Sequence, residues 1–173
     1  MSGTRIAVDN SVLSDLGNYL TNPDKFPTNK MNDLRAFEEI IQLDHEGIFK
    51  IGIPASTTFI EAQQAGGDKR DLIKEKMGSA WRILPVVVPP EISQEIDQKS
   101  KCLQRIMQDK NGADSRNLIV STVVGHTPYY LTTDYKYIRQ FKAQIERIKA
   151  NCKVYICILS PSEFLRMYKN GEI

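Results

Sequence analysis

Residues 5–13 read RIAVDNSVL. An apolar run, Ile6-Ala7-Val8, stops at an acid, Asp9. Asn10 and Ser11 follow, and Val12-Leu13 opens a second apolar segment. A short apolar run with a polar break behind it fits a strand buried on both faces. Such strands belong to parallel sheets with helices on both sides. The carboxylate at the end of this one has two readings. It caps a helix that starts near Val12, or it is one member of an acid cluster at the carboxyl edge of a sheet, where open α/β folds bind ligands.

The same alternation continues along the chain. Further apolar runs lie at 51–53, 83–88, 129–132 and 154–159, and helical patterns come between them. Over 33–46 the 3.6-residue period places Leu34, Phe37, Ile40 and Ile41 on one face. Over 135–150 it places Ile138, Phe141, Ile145 and Ile148 on one face, with strongly basic positions elsewhere. SPSEFLRMY, 160–168, carries a capping box, Ser160 to Glu163, with Pro161 at the first helical position. Pro90, after Pro89, can start another helix. Residues 17–33, with two prolines and several Asn and Asp, read as a long loop. Strands alternating with helices predict an α/β fold with a mainly parallel central sheet.

The 173 residues are most simply one domain, 1–173. A chain of this length can bury roughly 70% of its unfolded surface. Its net charge of +2 neither argues for nor excludes a nucleic-acid partner. Three cysteines, Cys102, Cys152 and Cys157, do not read as a disulfide framework. With two distant histidines and no CxxC pair, a zinc site is disfavoured. No signal-peptide core is visible, and no run approaches the ~20 apolar residues of a membrane span. A cytoplasmic protein with no membrane association is expected. The chain has neither GxGxxG nor GxxxxGK[ST], which disfavours a dinucleotide binder and a P-loop NTPase. Asp9-Asn10-Ser11 contradicts a DxD phosphatase, and with Ser160-Pro161 it lacks the acids and lysine of a receiver domain.

Four carboxylates fall at strand ends or helix starts. Asp9 ends the first strand, and Asp134 follows Thr132-Thr133 after the strand YYL. Glu61 sits in the first turn of the helix opened by ASTTFIEAQQ, where Thr58 and Glu61 also form a capping box. Asp114 opens GADSRNLIVS, where the helix dipole alone would favour an acid. Converging acids repel one another and raise each other's pKa values. A hard divalent cation with oxygen ligands reverses that penalty.

These segments resemble the PIN domain, the metal-dependent nuclease fold of VapC-type toxins and RNA-processing factors. RIAVDNSVL resembles the family's opening strand, with Asp9 and the small hydroxyl residue Ser11. IGIPASTTFIEA resembles the second strand and the helix that carries Glu61. YYLTTD resembles the strand that ends in Thr-x-Asp, here Thr132 and Asp134, and ILSPSEFL resembles the terminal strand and closing helix. The resemblance spans nearly the whole chain through short motifs. One element departs. The family's third acid lies about eighteen residues before the acid of Thr-x-Asp, which here falls on Arg116. Asp114 lies two residues earlier, and a longer loop around Gly125-His126-Thr127-Pro128 would absorb the difference.

The resemblance implies a three-layer α/β/α sandwich and hydrolysis of phosphodiester bonds, usually in RNA. Asp9, Glu61, Asp114 and Asp134 would hold Mg²⁺ or Mn²⁺, with Ser11 and Thr132 orienting carboxylates or water. Arg116, Lys136 and Arg139 would hold substrate phosphates. It also implies possible partners: family members of this size often dimerise, and toxins pair with an antitoxin. The alternative expectation is a catalytically weakened PIN-like domain that binds RNA or protein. The spacing around Asp114 is its best support.

Overall fold

The computed structural model describes residues 3–54, 67–85 and 87–173. Four short strands form one sheet: β1 (Thr4–Val8), β2 (Phe49–Gly52), β3 (Tyr129–Leu131) and β4 (Cys157–Leu159). Their order is β2-β1-β3-β4, and every neighbouring pair is parallel. The helices, in chain order, are α1 (Asn10–Thr21), α2 (Met31–His45), α3 (Gly67–Met77), α4 (Pro90–Met107), α5 (Ala113–Val123), α6 (Tyr135–Ala143), α7 (Ile145–Cys152) and α8 (Pro161–Lys169).

Side chains alternate across a strand, so each strand feeds two cores. Ile6, Val8, Ile51, Leu131 and Leu159 join Leu13 and Leu16 of α1, Phe37 and Ile40 of α2, and Phe164 of α8. Ala7, Tyr130 and Ile158 face the other way, onto Leu103 of α4, Leu118 and Ile119 of α5, Phe141 of α6 and Ile148 of α7. The fold is a three-layer α/β/α sandwich. Ile6, Ala7 and Val8 are wholly buried, because β1 is a central strand covered on both sides. This is why their sequence shows no polar alternation.

Local chemistry starts several helices where the sequence predicts. Pro161 stands at the first position of α8, and the Ser160 hydroxyl accepts the Glu163 amide at 3.2 Å. Pro90 likewise begins α4.

Elsewhere tertiary structure departs from the local pattern. The run at 83–88 is not a strand in its described residues. Ile83 makes a single parallel bridge to Ile53, then the chain leaves the sheet and Val87 is 91% exposed. Pro85 has no N–H to give a ladder, and Pro89-Pro90 closes the run. Residues 17–33 are more ordered than a loop. α1 continues to Thr21, and single 3₁₀ turns span Pro23–Lys25 and Thr28–Lys30. The basic segment at 135–150 is two helices, which break at Gln144 with φ −106° and ψ 8°. Cys102 and Cys152 are joined as a disulfide that pins α7 to α4, and Cys157 is a free thiol. The odd cysteine count therefore conceals one pair. Among the described residues no helix is long and apolar enough to cross a membrane.

Candidate functional site

β1 and β3 are adjacent and parallel, so their carboxyl ends lie side by side. The Asp9 amide donates to the Leu131 carbonyl at 2.8 Å, which sets Asp9 beside Thr132. Asp9 is 7% exposed and fully engaged. Tyr130 Oη donates to its Oδ1 at 2.8 Å, and Thr132 Oγ1 donates to its Oδ2 at 3.0 Å. The Ser11 amide reaches the same Oδ2 at 3.4 Å, so Asp9 is also the N-cap of α1. Cap and cluster member are one residue here.

Ser11 and Thr132 tie the two strand ends together. Their hydroxyls lie 3.1 Å apart, and Ser11 Oγ accepts the Thr133 amide at 3.1 Å. Thr132 Oγ1 accepts the Asp134 amide at 3.1 Å. Asp134 in turn caps α6, accepting the Tyr137 amide at 3.0 Å, and remains exposed. Behind this turn the buried Asp15 accepts Thr133 Oγ1 and Lys30 Nζ, both at 3.1 Å.

Asp114 lies in the first turn of α5. Partial desolvation, then the charges of Asp9, Asp109 and Asp134, push its carboxyl from the ordinary 3.8 up to about 6. Asp114 is thus within electrostatic reach of both strand-end acids. Arg116, two residues on, points elsewhere and pairs with Asp97 at 2.8 Å. Lys136 and Arg139 stand exposed on α6, one turn apart. Glu61 lies outside the described residues.

No known family model matches this chain. No curated protein matches it either.

Sequence reasoning overlooked several residues around the acids. Asp109 accepts the Ser115 amide at 3.1 Å and adds a third carboxylate beside Asp114. Its only sequence signal is an acid ahead of the Asn111-Gly112 turn. Tyr130 looks like an ordinary strand aromatic until the β1–β3 pairing brings its hydroxyl to Asp9. Burial first, then the Asp9 charge, hold that phenol well above its usual pKa, so it remains a donor. Tyr137 is buried too, and its phenol is raised by desolvation and by Asp114, Asp109 and Asp9.

The donor chemistry fits a hard cation. Every carboxylate is an oxygen ligand, and Asp114 carries a repulsion that a cation would relieve. The buried oxygens Tyr137 Oη, Ser115 Oγ and Asn117 Oδ1 make no hydrogen bond of standard geometry, although Ser115 is near enough to Tyr137 to counter part of the rise in its phenol pKa. An orphaned buried polar atom costs roughly 1–3 kcal/mol. Two of these atoms stand on Asp114's own helix and one on α6, which Asp134 caps. Geometry sets a limit. Among the described residues, no three Asp, Glu, His or Cys side chains are arranged to share one metal ion. Asp9 is turned onto Tyr130 and Thr132, and Asp134 onto the Tyr137 amide of α6.

Proposed function

We propose that the protein is a divalent-metal-dependent nuclease of PIN type, most simply a cytoplasmic endoribonuclease. The single observation that carries the proposal is the joining of two acids at the carboxyl ends of adjacent parallel strands. The Asp9 amide donates to the Leu131 carbonyl, and Thr132 Oγ1 donates to Asp9 Oδ2 and accepts the Asp134 amide, with the raised carboxyl of Asp114 in electrostatic reach. Carboxylates gathered at that edge of an α/β sheet, one of them with a raised pKa, are a functional-site signature.

In this reading Asp9, Asp114 and Asp134 hold the ion, joined by Glu61 on sequence grounds alone. Bound Mg²⁺ or Mn²⁺ would supply a water of lowered pKa and neutralise charge on the attacked phosphate. The chain's own residues do the positioning. Tyr130 and Thr132 fix the plane of the Asp9 carboxylate through both its oxygens. Ser11 locks Thr132 and the Thr133 amide, and so sets where Asp134 begins α6. Lys136 and Arg139, exposed beside Asp134, would attract the RNA backbone, whereas Arg116 is turned away onto Asp97. No covalent nucleophile is required.

A second reading has its own support. The absence of a ready-made three-ligand group among the described residues favours a PIN-like module that binds RNA or protein without cutting. Calorimetry with Mn²⁺ separates the two. The nuclease reading expects heat that an Asp9→Asn, Asp134→Asn double variant abolishes, and RNA cleavage that EDTA stops. Negligible heats from both proteins would leave the binding module standing. Cleavage that survives chelation would refute the metal mechanism.

A further inference from the structure

Arg5 and Lys50 are register partners at the amino ends of β1 and β2, the opposite end of the sheet from Asp9. Ala7 and Gly52, two residues on, are partners as well, and Ala7 belongs to the core under α4 and α5. Arg5 and Lys50 therefore project to that same side, directly opposite each other. Arg82 joins them from the segment that bridges to β2. The three cations line a cavity of about 230 Å³, walled by Leu84 and by Gly125 at the end of α5.

Like charges facing each other across a strand pair are destabilising. Among the described residues the one carboxylate that offsets this cost is Asp44, and it pairs with Arg82. The described lining holds no carboxylate. Arg82 is satisfied by Asp44, whose side chain is wholly buried and turned away from solvent. Lys50 makes no ion pair with a described residue. Among the described residues Arg5 gives one bond, Nη1 to the Gly125 carbonyl at 3.3 Å, which steadies the guanidinium and engages one of its five N–H groups. The floor is kept low by Gly52, where a Cβ would stand 3.0 Å from Leu84 Cδ2. The cavity is smaller than the roughly 300–1,000 Å³ of drug-sized ligand sites. It suits a small, doubly charged, multiply accepting group.

We propose that this cleft binds a phosphate group, gripped by Arg5 and Lys50, with Arg82, held by Asp44 and the Ile51 carbonyl, as part of its wall. The inference does not rest on the nuclease reading, because the cleft and the acids occupy opposite ends of the sheet. Two sources offer the same chemistry: a backbone phosphate of a bound nucleic acid, or a free phosphorylated small molecule.

The test uses the full chain in EDTA, with Lys50→Gln, Arg5→Gln and the double variant checked by circular dichroism. Inorganic phosphate is titrated at matched ionic strength against chloride, and a ten-nucleotide single-stranded RNA is titrated separately. Phosphate should bind the parent chain at least tenfold more tightly than the double variant, with intermediate losses in the single variants. In chloride the double variant should melt no lower than the parent, since a like-charge pair has gone. If nucleic acid is the source, the double variant also weakens RNA binding and reduces the salt slope by about 2. If RNA binding is unchanged while the phosphate response is lost, the source is a free phosphorylated compound. A parent chain that responds to neither probe, or responses that the substitutions leave intact, would overturn the proposal.

Discussion

Tyr130 crosses from β3 to hold Asp9 of β1, its wholly buried hydroxyl 2.8 Å from Oδ1. The bond runs from a neutral donor to a carboxylate, a class worth roughly 1.5–3 kcal/mol. Tyr130→Phe removes the hydroxyl and keeps the ring. We expect urea unfolding to show a loss of about 1.5–3 kcal/mol, with the slope unchanged because the core stays filled. Only Oδ2 would then be held, by Thr132 and the Ser11 amide, so Mn²⁺ affinity should fall as well. An unchanged midpoint would mean that the bond contributes nothing to Asp9.

Asp114 predicts a dependence on pH, and its sign follows from the raised carboxyl. With its folded value at about 6 against an ordinary 3.8, the folded chain keeps a proton that the unfolded chain has released between those values. Stability from this group is therefore full below about pH 4 and is lost as pH rises through 6. Asp114→Asn cannot ionise. Its melting temperature should match the parent at pH 4, exceed it increasingly up to pH 6.5, and hold that lead above. Mn²⁺ should close the gap at pH 7.5 by stabilising only the parent. A lead that is constant across pH would place Asp114 outside the cluster.

How much of this was legible in the sequence follows from which interactions are local. β1 could be read because Ile6-Ala7-Val8 is apolar on both faces. α8 could be read because Ser160, Pro161 and Glu163 act within one turn. The adjacency of Asp9 and Thr132 depends on the order β2-β1-β3-β4, which no short window encodes. Tyr130 acquires its role only from that order, whereas Asp109 meets Ser115 and Asp114 through the local turn ahead of α5. The break at Gln144 has no Pro or Gly to announce it, and residues 141, 145 and 148 keep helical spacing through it. The strand expected at 83–88 failed for a reason that was visible, since Pro85 removes a ladder donor.

The disulfide makes a chemical prediction. Cys102 and Cys152 are 50 residues apart in sequence, and bridging a loop of that order typically stabilises a fold by about 2–4 kcal/mol. Purified without reductant, the unfolded chain should present one thiol to a maleimide, and peptide mapping should place it at Cys157. In the native chain that thiol should react slowly, because burial raises its pKa. Reduction should lower the urea midpoint. Three reactive thiols in the unfolded, unreduced protein would refute the bridge.

Asp44 offers the clearest stability test outside the candidate site. It stands in the last turn of α2 with its side chain wholly buried. It accepts the Ile51 amide at 2.6 Å and both terminal nitrogens of Arg82, at 2.7 and 2.9 Å. These bonds, with Asp44's charge, hold the guanidinium above its ordinary pKa. The carboxylate thus links α2, the outer edge of β2 and the segment that bridges at Ile83. Arg82→Met leaves a buried charge with one amide, and a loss of about 3–5 kcal/mol is expected. Asp44→Asn removes the charge but still accepts the Ile51 amide, and Arg82 is about one-third exposed and can turn to water. Its loss should be smaller, about 1–3 kcal/mol. The order of the two variants in urea is the decisive measurement. If Asp44→Asn were the worse, the guanidinium rather than the carboxylate would be the group that cannot be left unpaired.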